Sequence, residues 1–336
     1  MPSEHPLQDN SSRYSGELCI ANNQEISGWA TDGSGKGAPI ITLVINGTEA
    51  TKVHANLAVT NPVNGKHGFH LNVHETLLKR LPLANQVEAY FPDGTPLDIN
   101  DGFECTLRGF EDVDKGELAR ILQSGSSLLA KSGLIIKTIA SRPGWKKVAL
   151  EAQVEAEEIF RDIFSKDLFI AYGTLLGLVR ENDLIGHDDD VDAMFLLDAQ
   201  NGYDAGRELF GIAQTLKDAG QNIVNVFPGG NFHWVMSNNI MLDIFGCWSD
   251  GAILSSYMCS FDGNMSDLLP VSKQELCGIS VCVPANPEKI LEGIYGEKWT
   301  VPDPHFQWQP SQSSKEHMND FAQGVYDQRV EHDDKK

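Results

Sequence analysis

The stretch FIAYGTLLGLVRENDLIGHDDDVDAMFLL, residues 169–197, places a dense acidic cluster between two apolar runs. Four carboxylates fall within five positions of it: Asp188, Asp189, Asp190 and Asp192. Such a density of like charge repels itself unless the side chains face water or a cation neutralises them, and carboxylates are usual ligands of hard divalent metals. The apolar run that follows predicts a buried strand, so we expect Asp190 and Asp192 at a sheet edge with both side chains on one face.

The residues just before the cluster predict a second half of a site. Residues 168–171 are typical of a strand, Gly173-Thr174 of a tight turn, and residues 175–181 of the first turns of a helix. Backbone amides at such a helix start are unpaired and attract phosphate. Together with the aspartates they predict a phosphate cradle facing a cation, which is the arrangement that phosphoryl transfer needs for charge neutralisation.

Four blocks of the chain, taken in order, resemble the LicD/fukutin-related family of the nucleotidyltransferase superfamily. They are YGTLLG with Arg180 and Ile185 (172–185), DDDVD (188–192), MLDIF (241–245), and a closing segment from Val283-Pro284 through IYGEKW (294–299) to Pro302. The resemblance covers about residues 165–305. It departs from the family at Gly186-His187, where family members commonly have Pro-Trp.

The resemblance implies an α+β fold, with a nucleotidyltransferase-like mixed sheet and flanking helices. It also implies site residues: Asp190, Asp192 and Asp243 as ligands of Mg²⁺ or Mn²⁺, Asp188 as a base for the acceptor or a group that orients a metal-bound water, and Gly173 and Thr174 as contacts to phosphate oxygens. Arg180 could make a bidentate phosphate contact, and an ion pair with an aspartate of the cluster is an equally good use of it. We expect His187 to be a loop histidine and Asp189 to face solvent.

The activity that the resemblance implies is a metal-dependent transfer of a phosphocholine-type or polyol-phosphate-type substituent. The donor would be CDP-linked, and the acceptor a hydroxyl of a cell-surface glycan or lipid-linked glycan. Two other functions stay open: a nucleotidyltransferase that adds a nucleotide to a small molecule or protein, and a noncatalytic glycan-binding protein. Covalent nucleotide on the acceptor would favour the first, and aspartates that bind no metal would favour the second.

Residues 14–107 have the pattern of a small all-β sandwich that precedes the catalytic domain. Short strand candidates alternate with turns such as Asn46-Gly47 and Asp93-Gly94. The region loosely resembles accessory β-sandwiches attached to bacterial surface-glycan enzymes. Its aromatic residues could stack on sugar rings, although packing in the core is their more ordinary use; they are Trp29, Phe69 and Tyr90.

The remaining organisation follows from composition. Residues 108–150 predict a helical linker, in which GLIIKTI (133–139) is either a bridging helix or a contact to a membrane surface. Residues 151–310 form the expected catalytic domain, and the polar tail 311–336 is expected to be loosely ordered.

Charge and cysteine content narrow the partners. The chain has 336 residues and a net charge of −21, which disfavours nucleic acid because phosphate backbones are bound through clustered Lys and Arg. The N-terminus lacks the features of a signal peptide or anchor, and no stretch has transmembrane length. The six cysteines are scattered without metal-ligand spacing, as is usual for reduced thiols in a cytoplasmic protein. We therefore expect a cytoplasmic protein, with the inner face of the membrane as a site of peripheral contact.

Overall fold

The computed structural model describes residues 13–33, 38–55, 57–58, 67–99, 105–130, 132–186, 188, 190–257, 259–301 and 310–334. The chain divides into two compact units, Met1–Ser141 and Arg142–Lys336. The first unit is rich in antiparallel β-structure, and the second contains a mixed sheet with helices. This arrangement confirms the predicted α+β fold class.

The N-terminal unit contains two sheets that share one apolar core. The sheets have the strand orders β5-β6-β2-β1-β8 and β4-β3-β7-β9. Alternate residues of β3 enter the core, as at Ile41 and Leu43, which are both fully buried. In chain order the elements are β1 (Tyr14–Ala21), β2 (Glu25–Asp32), β3 (Ile40–Ile45), β4 (Thr48–His54), β5 (Leu57–Ala58), β6 (His67–Asn72), α1 (Glu75–Leu78), β7 (Asn85–Tyr90), β8 (Asp98–Ile99), β9 (Thr106–Leu107), α2 (Glu117–Gln123), β10 (Ser127–Leu129) and β11 (Ile135–Lys137).

The three aromatic residues considered for sugar stacking, Trp29, Phe69 and Tyr90, do not form one surface. Phe69 pairs with Gly28 and is 1% exposed, so its ring belongs to the core. Trp29 is the next residue along β2 and therefore points to the opposite face, where its indole N–H donates to Glu17 Oε2 at 3.0 Å. Core packing is thus the role of Phe69.

The segment 108–150 is not a continuous helix. It contains α2, the antiparallel hairpin β10–β11 and a 3₁₀ turn at Ile139–Ser141. The predicted bridging helix at residues 133–139 is wrong, because Gly133 adopts a positive φ of 81° at a point where a side chain would collide with the backbone of Asn72. The division between the two units falls directly after this turn.

The C-terminal unit is built on a sheet with the order β12-β13-β16-β15-β14. The second half of β16 also pairs with β17, and β17 pairs with β18. Strands β13 and β16 are parallel, and the other pairs of this sheet are antiparallel. The elements are α3 (Trp145–Phe164), β12 (Leu168–Ile170), α4 (Tyr172–Leu176), a π-helical turn (Gly177–Glu181), β13 (Val191–Leu196), α5 (Gly202–Asp218), β14 (Asn222–Val226), β15 (Asn231–Val235), β16 (Met241–Ser249), β17 (Ile253–Ser256), β18 (Cys259–Asp262), α6 (Met265–Leu268), β19 (Ser272–Leu276), β20 (Ile279–Val283), α7 (Pro287–Tyr295) and α8 (Gln312–Asp333).

The polar C-terminal segment is ordered, contrary to the expectation of a loose tail. Residues Gln312–Asp333 form α8, which packs on α5 and buries Phe321 and Val325. The two helices approach closely at Gly206 and Gly324, where any side chain would collide with the backbone of the facing helix. The sequence pattern did not indicate α8, because close contacts at glycines replace the wide apolar stripe that usually marks a packed helix.

Candidate active site

A row of polar side chains crosses the central sheet near the start of β13. Asp192 on β13 lies opposite Asp243 on β16, and Asp243 lies opposite His233 on β15. Residues paired across strands project to the same face of a sheet, so the three side chains are neighbours. On the other face the flanking residues of β16, Leu242 and Ile244, are fully buried in the core.

The acidic cluster predicted from the sequence is brought together. Carboxylate oxygens of Asp188, Asp190 and Asp192 lie within 4.8 Å of one another. A side chain at Gly173 would collide with Asp188 Oδ2, and its Cβ would stand 3.3 Å from Asp192 Oδ2. Glycine at position 173 is therefore what allows the carboxylates to lie against the turn.

The Gly173-Thr174 turn is hydrogen-bonded to Asp192. Gly173 N–H donates to Asp192 Oδ2 at 2.9 Å, and Asp192 N–H donates to Thr174 Oγ1 at 2.9 Å. Ala171 N–H also donates to Asp192 O at 2.9 Å, and Thr174 is only 1% exposed. The Gly173 amide and the Thr174 hydroxyl thus hold Asp192 and its strand, and the expected contact of this turn to phosphate stays a prediction.

The electrostatic state of Asp192 is strongly unfavourable for an ionised group. Asp192 is 9% exposed, and burial raises the pKa of its carboxyl well above the usual range, with further contributions from the charges of Asp190, Asp188 and Asp243. The Gly173 amide opposes this rise in pKa. Among the residues that the structure describes, Asp192 therefore has no positive partner of the kind that a buried carboxylate normally requires.

Asp243 is the second carboxylate of this row with a raised pKa. Burial is the main cause, His233 opposes the rise and Asp190 adds to it. His233 Nε2 lies 3.3 Å from Asp243 Oδ1, yet this oxygen is buried and has no hydrogen-bond partner among the described residues. A hard cation favours carboxylate oxygens as ligands. The site offers several carboxylates that repel one another and one oxygen without a hydrogen bond, so these aspartates fit Mg²⁺ or Mn²⁺.

Arg180 lies beside this site, and its guanidinium pairs with a glutamate. Its guanidinium bonds to Glu181 Oε1 at 2.7 Å and to the carbonyl of Trp299 at 3.5 Å. The side chain is 14% exposed. Of the two uses open for Arg180, the ion pair is formed with the adjacent glutamate, and the phosphate contact stays a prediction.

Two residues of the site were missed by reasoning from the sequence. Tyr295 ends α7, and burial, followed by the charges of Asp192 and Asp188, raises the pKa of its phenol, which therefore stays neutral near the cluster. Its place in the closing IYGEKW block was the available signal. His233 had a weaker signal, the polar position in NFHWV (231–235). The predictions for His187 and Asp189 concern positions outside the described residues.

None of the described helices is long and apolar enough to cross a membrane. Residues 166–286 match the family model described as LicD/FKTN/FKRP, nucleotidyltransferase domain. The matched range includes the acidic cluster, the Gly173-Thr174 turn, His233 and Asp243, and it confirms the resemblance drawn from the sequence motifs. A search of curated proteins gave no match to the chain.

Proposed function

We propose that the protein transfers a phospho-substituent from a CDP-activated donor to a hydroxyl of a cell-surface glycan. Residues 166–286 match the LicD-type nucleotidyltransferase domain, and membership of this family indicates a transferase. The transferred group would be of the phosphocholine or polyol-phosphate type, as in the family. One observation supports this most: three carboxylates converge within 4.8 Å around the buried, uncompensated Asp192.

The proposed ligand set is drawn from the polar row and the cluster. Asp190, Asp192 and Asp243 would hold Mg²⁺ or Mn²⁺, and the position of Asp188 within the cluster favours its inclusion as a further ligand. The bound ion would offset the charge of the donor diphosphate and stabilise the leaving nucleoside phosphate. In the alternative role for Asp188, its carboxylate would accept the proton of the acceptor hydroxyl.

Two further residues, Arg180 and Tyr295, would contact the donor. Arg180 would release Glu181 and bind a donor phosphate instead. Its guanidinium lies 3.5 Å from the Trp299 carbonyl, which places it at the closing segment. The neutral Tyr295 phenol could donate a hydrogen bond without adding charge to the cluster. All these residues belong to the C-terminal unit, so we propose that this unit carries the reaction.

The proposed donor and acceptor also define a place of action. A nucleotide-activated donor and a lipid-linked glycan acceptor would meet in the cytoplasm at the inner face of the membrane. The acidic protein would there be a peripheral partner of the acceptor.

The test is a panel of CDP-linked donors incubated with the protein, Mg²⁺ and glycan acceptors, with products weighed by mass spectrometry. We expect release of CMP and a phospho-substituent on the acceptor, lost in Asp190→Asn and kept in Asp218→Asn, an exposed aspartate at the end of α5. An acceptor that gains a nucleoside monophosphate would instead establish nucleotidyl transfer, which the family description also names. Equal products from wild type and Asp190→Asn would contradict the proposed site.

A further inference from the structure

The polar row of the active site continues beyond Asp243 through two more strands. His233 on β15 is paired with Asn225 on β14, so Asp192, Asp243, His233 and Asn225 follow one another across four adjacent strands. Asn225 Nδ2 lies 3.1 Å from His233 Nδ1. The ring of Phe227 packs edge to face on the imidazole, with 4.7 Å between centroids. The imidazole is thus held on two sides.

The contact to Asn225 determines which nitrogen of His233 carries the proton. An amide nitrogen is a donor only, so Nδ1 must accept and is unprotonated. In the neutral imidazole the proton is then on Nε2, which is the atom that faces Asp243 Oδ1 at 3.3 Å. The side chains of His233 and Asp243 are 17% and 18% exposed, so little water competes for this contact.

We propose that His233 is a positioning residue whose Nε2–H faces Asp243 Oδ1 and limits how far this carboxylate can turn away from the cation. This inference rests on the proposed metal centre and deepens it. The distance of 3.3 Å is longer than an ordinary N–H···O bond, and Asp243 Oδ1 has no hydrogen-bond partner among the described residues. Asp243 can therefore move toward an ion without breaking a good hydrogen bond, while the imidazole limits how far its carboxylate can turn away.

Partners that orient a ligating group typically change metal affinity by about 10- to 100-fold when they are removed. His233→Leu should therefore weaken Mn²⁺ binding by about 10-fold or more. His233→Gln keeps an N–H donor on a side chain of similar reach, so we expect it to retain most of the affinity. His70→Leu is a matched control, because His70 also lies on a strand and its Nε2 contacts Glu25 at 3.0 Å, but it belongs to the N-terminal unit.

The experiment is isothermal titration of metal-free protein with MnCl₂ in the absence of donor, with folding checked by thermal melting. We expect His70→Leu to bind as wild type does, His233→Gln to bind nearly as well, and His233→Leu to bind weakly. If His233→Leu does not fold, Asn225→Ala removes the partner that fixes the tautomer from an exposed position, and its Mn²⁺ affinity should fall.

Equal Mn²⁺ affinities for wild type and His233→Leu, or for wild type and Asn225→Ala where that variant replaces it, would overturn the positioning role and leave the proposed function intact. A loss in His233→Gln as large as that in His233→Leu would also overturn it, because a donor alone would then be insufficient. A wild-type protein that binds no Mn²⁺ contradicts the metal centre itself, and the role of His233 with it.

Discussion

Two buried carboxylates of the C-terminal unit have opposite surroundings. Glu157 in α3 is fully buried, and it accepts bonds from Lys273 Nζ at 2.6 Å, from Cys282 N–H at 2.8 Å and from Gln153 Nε2 at 3.3 Å. Asp192 in β13 is almost as buried, but its side chain accepts a bond from the Gly173 amide, and three aspartates add repulsion. The protein thus neutralises Glu157 with its own groups, whereas Asp192 has no positive partner among the described residues, which supports the proposed cation site.

This difference separates a structural carboxylate from a functional one. Glu157 joins α3 to the β19–β20 hairpin, and its charge is matched within the fold. An uncompensated buried charge costs several kcal/mol in a protein interior, so it persists where binding a ligand recovers the cost. Burial alone would not have distinguished the two residues.

The largest expected effect is the loss of turnover when the Asp192 carboxylate is neutralised. Asp192→Asn keeps the side-chain volume and an oxygen that can accept from Gly173 N–H, but it removes a ligand charge. We expect turnover to fall by at least about 100-fold in a donor-consumption assay with saturating Mg²⁺. The metal-free variant should be about 1 kcal/mol more stable, because repulsion within the cluster is relieved.

Glu157→Gln serves as the comparison for this variant. It neutralises a carboxylate that is at least as buried as Asp192. We expect the turnover of the folded variant at 25 °C to stay near that of wild type. Wild-type turnover in Asp192→Asn would remove the functional distinction between Asp192 and Glu157.

The next largest effect is on stability when the cation beside Glu157 is removed. Lys273→Met breaks the ion pair at 2.6 Å and leaves a fully buried carboxylate with two hydrogen bonds. We expect a loss of about 3 kcal/mol in the free energy of unfolding, measured with urea. Lys147→Met breaks an exposed pair at 3.7 Å and should change this free energy by less than about 1 kcal/mol. A stable Lys273→Met would mean that Glu157 is not held by its charge partner.

A smaller effect is expected at the turn that holds Asp192. Thr174→Val keeps the shape of the buried side chain but leaves the Asp192 N–H without its acceptor at 2.9 Å. We expect a loss of about 2 kcal/mol in unfolding free energy and a weaker Mn²⁺ affinity. Thr215→Val, at an exposed position of α5, is the matched control. Unchanged Mn²⁺ affinity in a folded Thr174→Val would show that the turn does not position the carboxylate.

The features that could be predicted from the sequence are those set by residues close together in the chain. The acidic strand start, the place of Asp243 and the resemblance came from local motifs, because strand periodicity sets which side chains share a face. His233 was not found, because the strand that pairs beside β16 is determined by tertiary structure. The inward turn of Thr174 was also invisible, since a hydroxyl at a helix start serves a ligand or the strand behind it equally well.

The smallest effect is in the pH dependence of stability. Burial and like charges raise the pKa of Asp192, and burial raises that of Asp243, so the folded state takes up protons at higher pH than the unfolded chain does. Metal-free protein should therefore gain about 1 kcal/mol as the pH falls from neutral through the raised pKa values toward the unfolded value of about 4.

This gain ends at lower pH. The pKa of Asp183 is lowered chiefly by Lys146 and that of Asp267 by Lys289, so their stabilisation is lost as the pH falls through those lowered values. Melting curves in EDTA and in Mg²⁺ measure the effect, and Mg²⁺ should move the maximum toward neutral pH. An identical pH profile in both solutions would contradict the assignment of the raised pKa values to a cation site.

Direct Mn²⁺ binding tests most simply whether Asp190, Asp192 and Asp243, with Asp188 beside them, bind a divalent cation. Electron paramagnetic resonance of free Mn²⁺, titrated with metal-free protein at pH 7.5, reports binding without any knowledge of donor or acceptor. We expect wild type and Glu157→Gln to bind Mn²⁺ with similar affinity, and Asp190→Asn to bind it at least about 10-fold more weakly. Equal Mn²⁺ affinity in wild type and Asp190→Asn would contradict the proposed cation site.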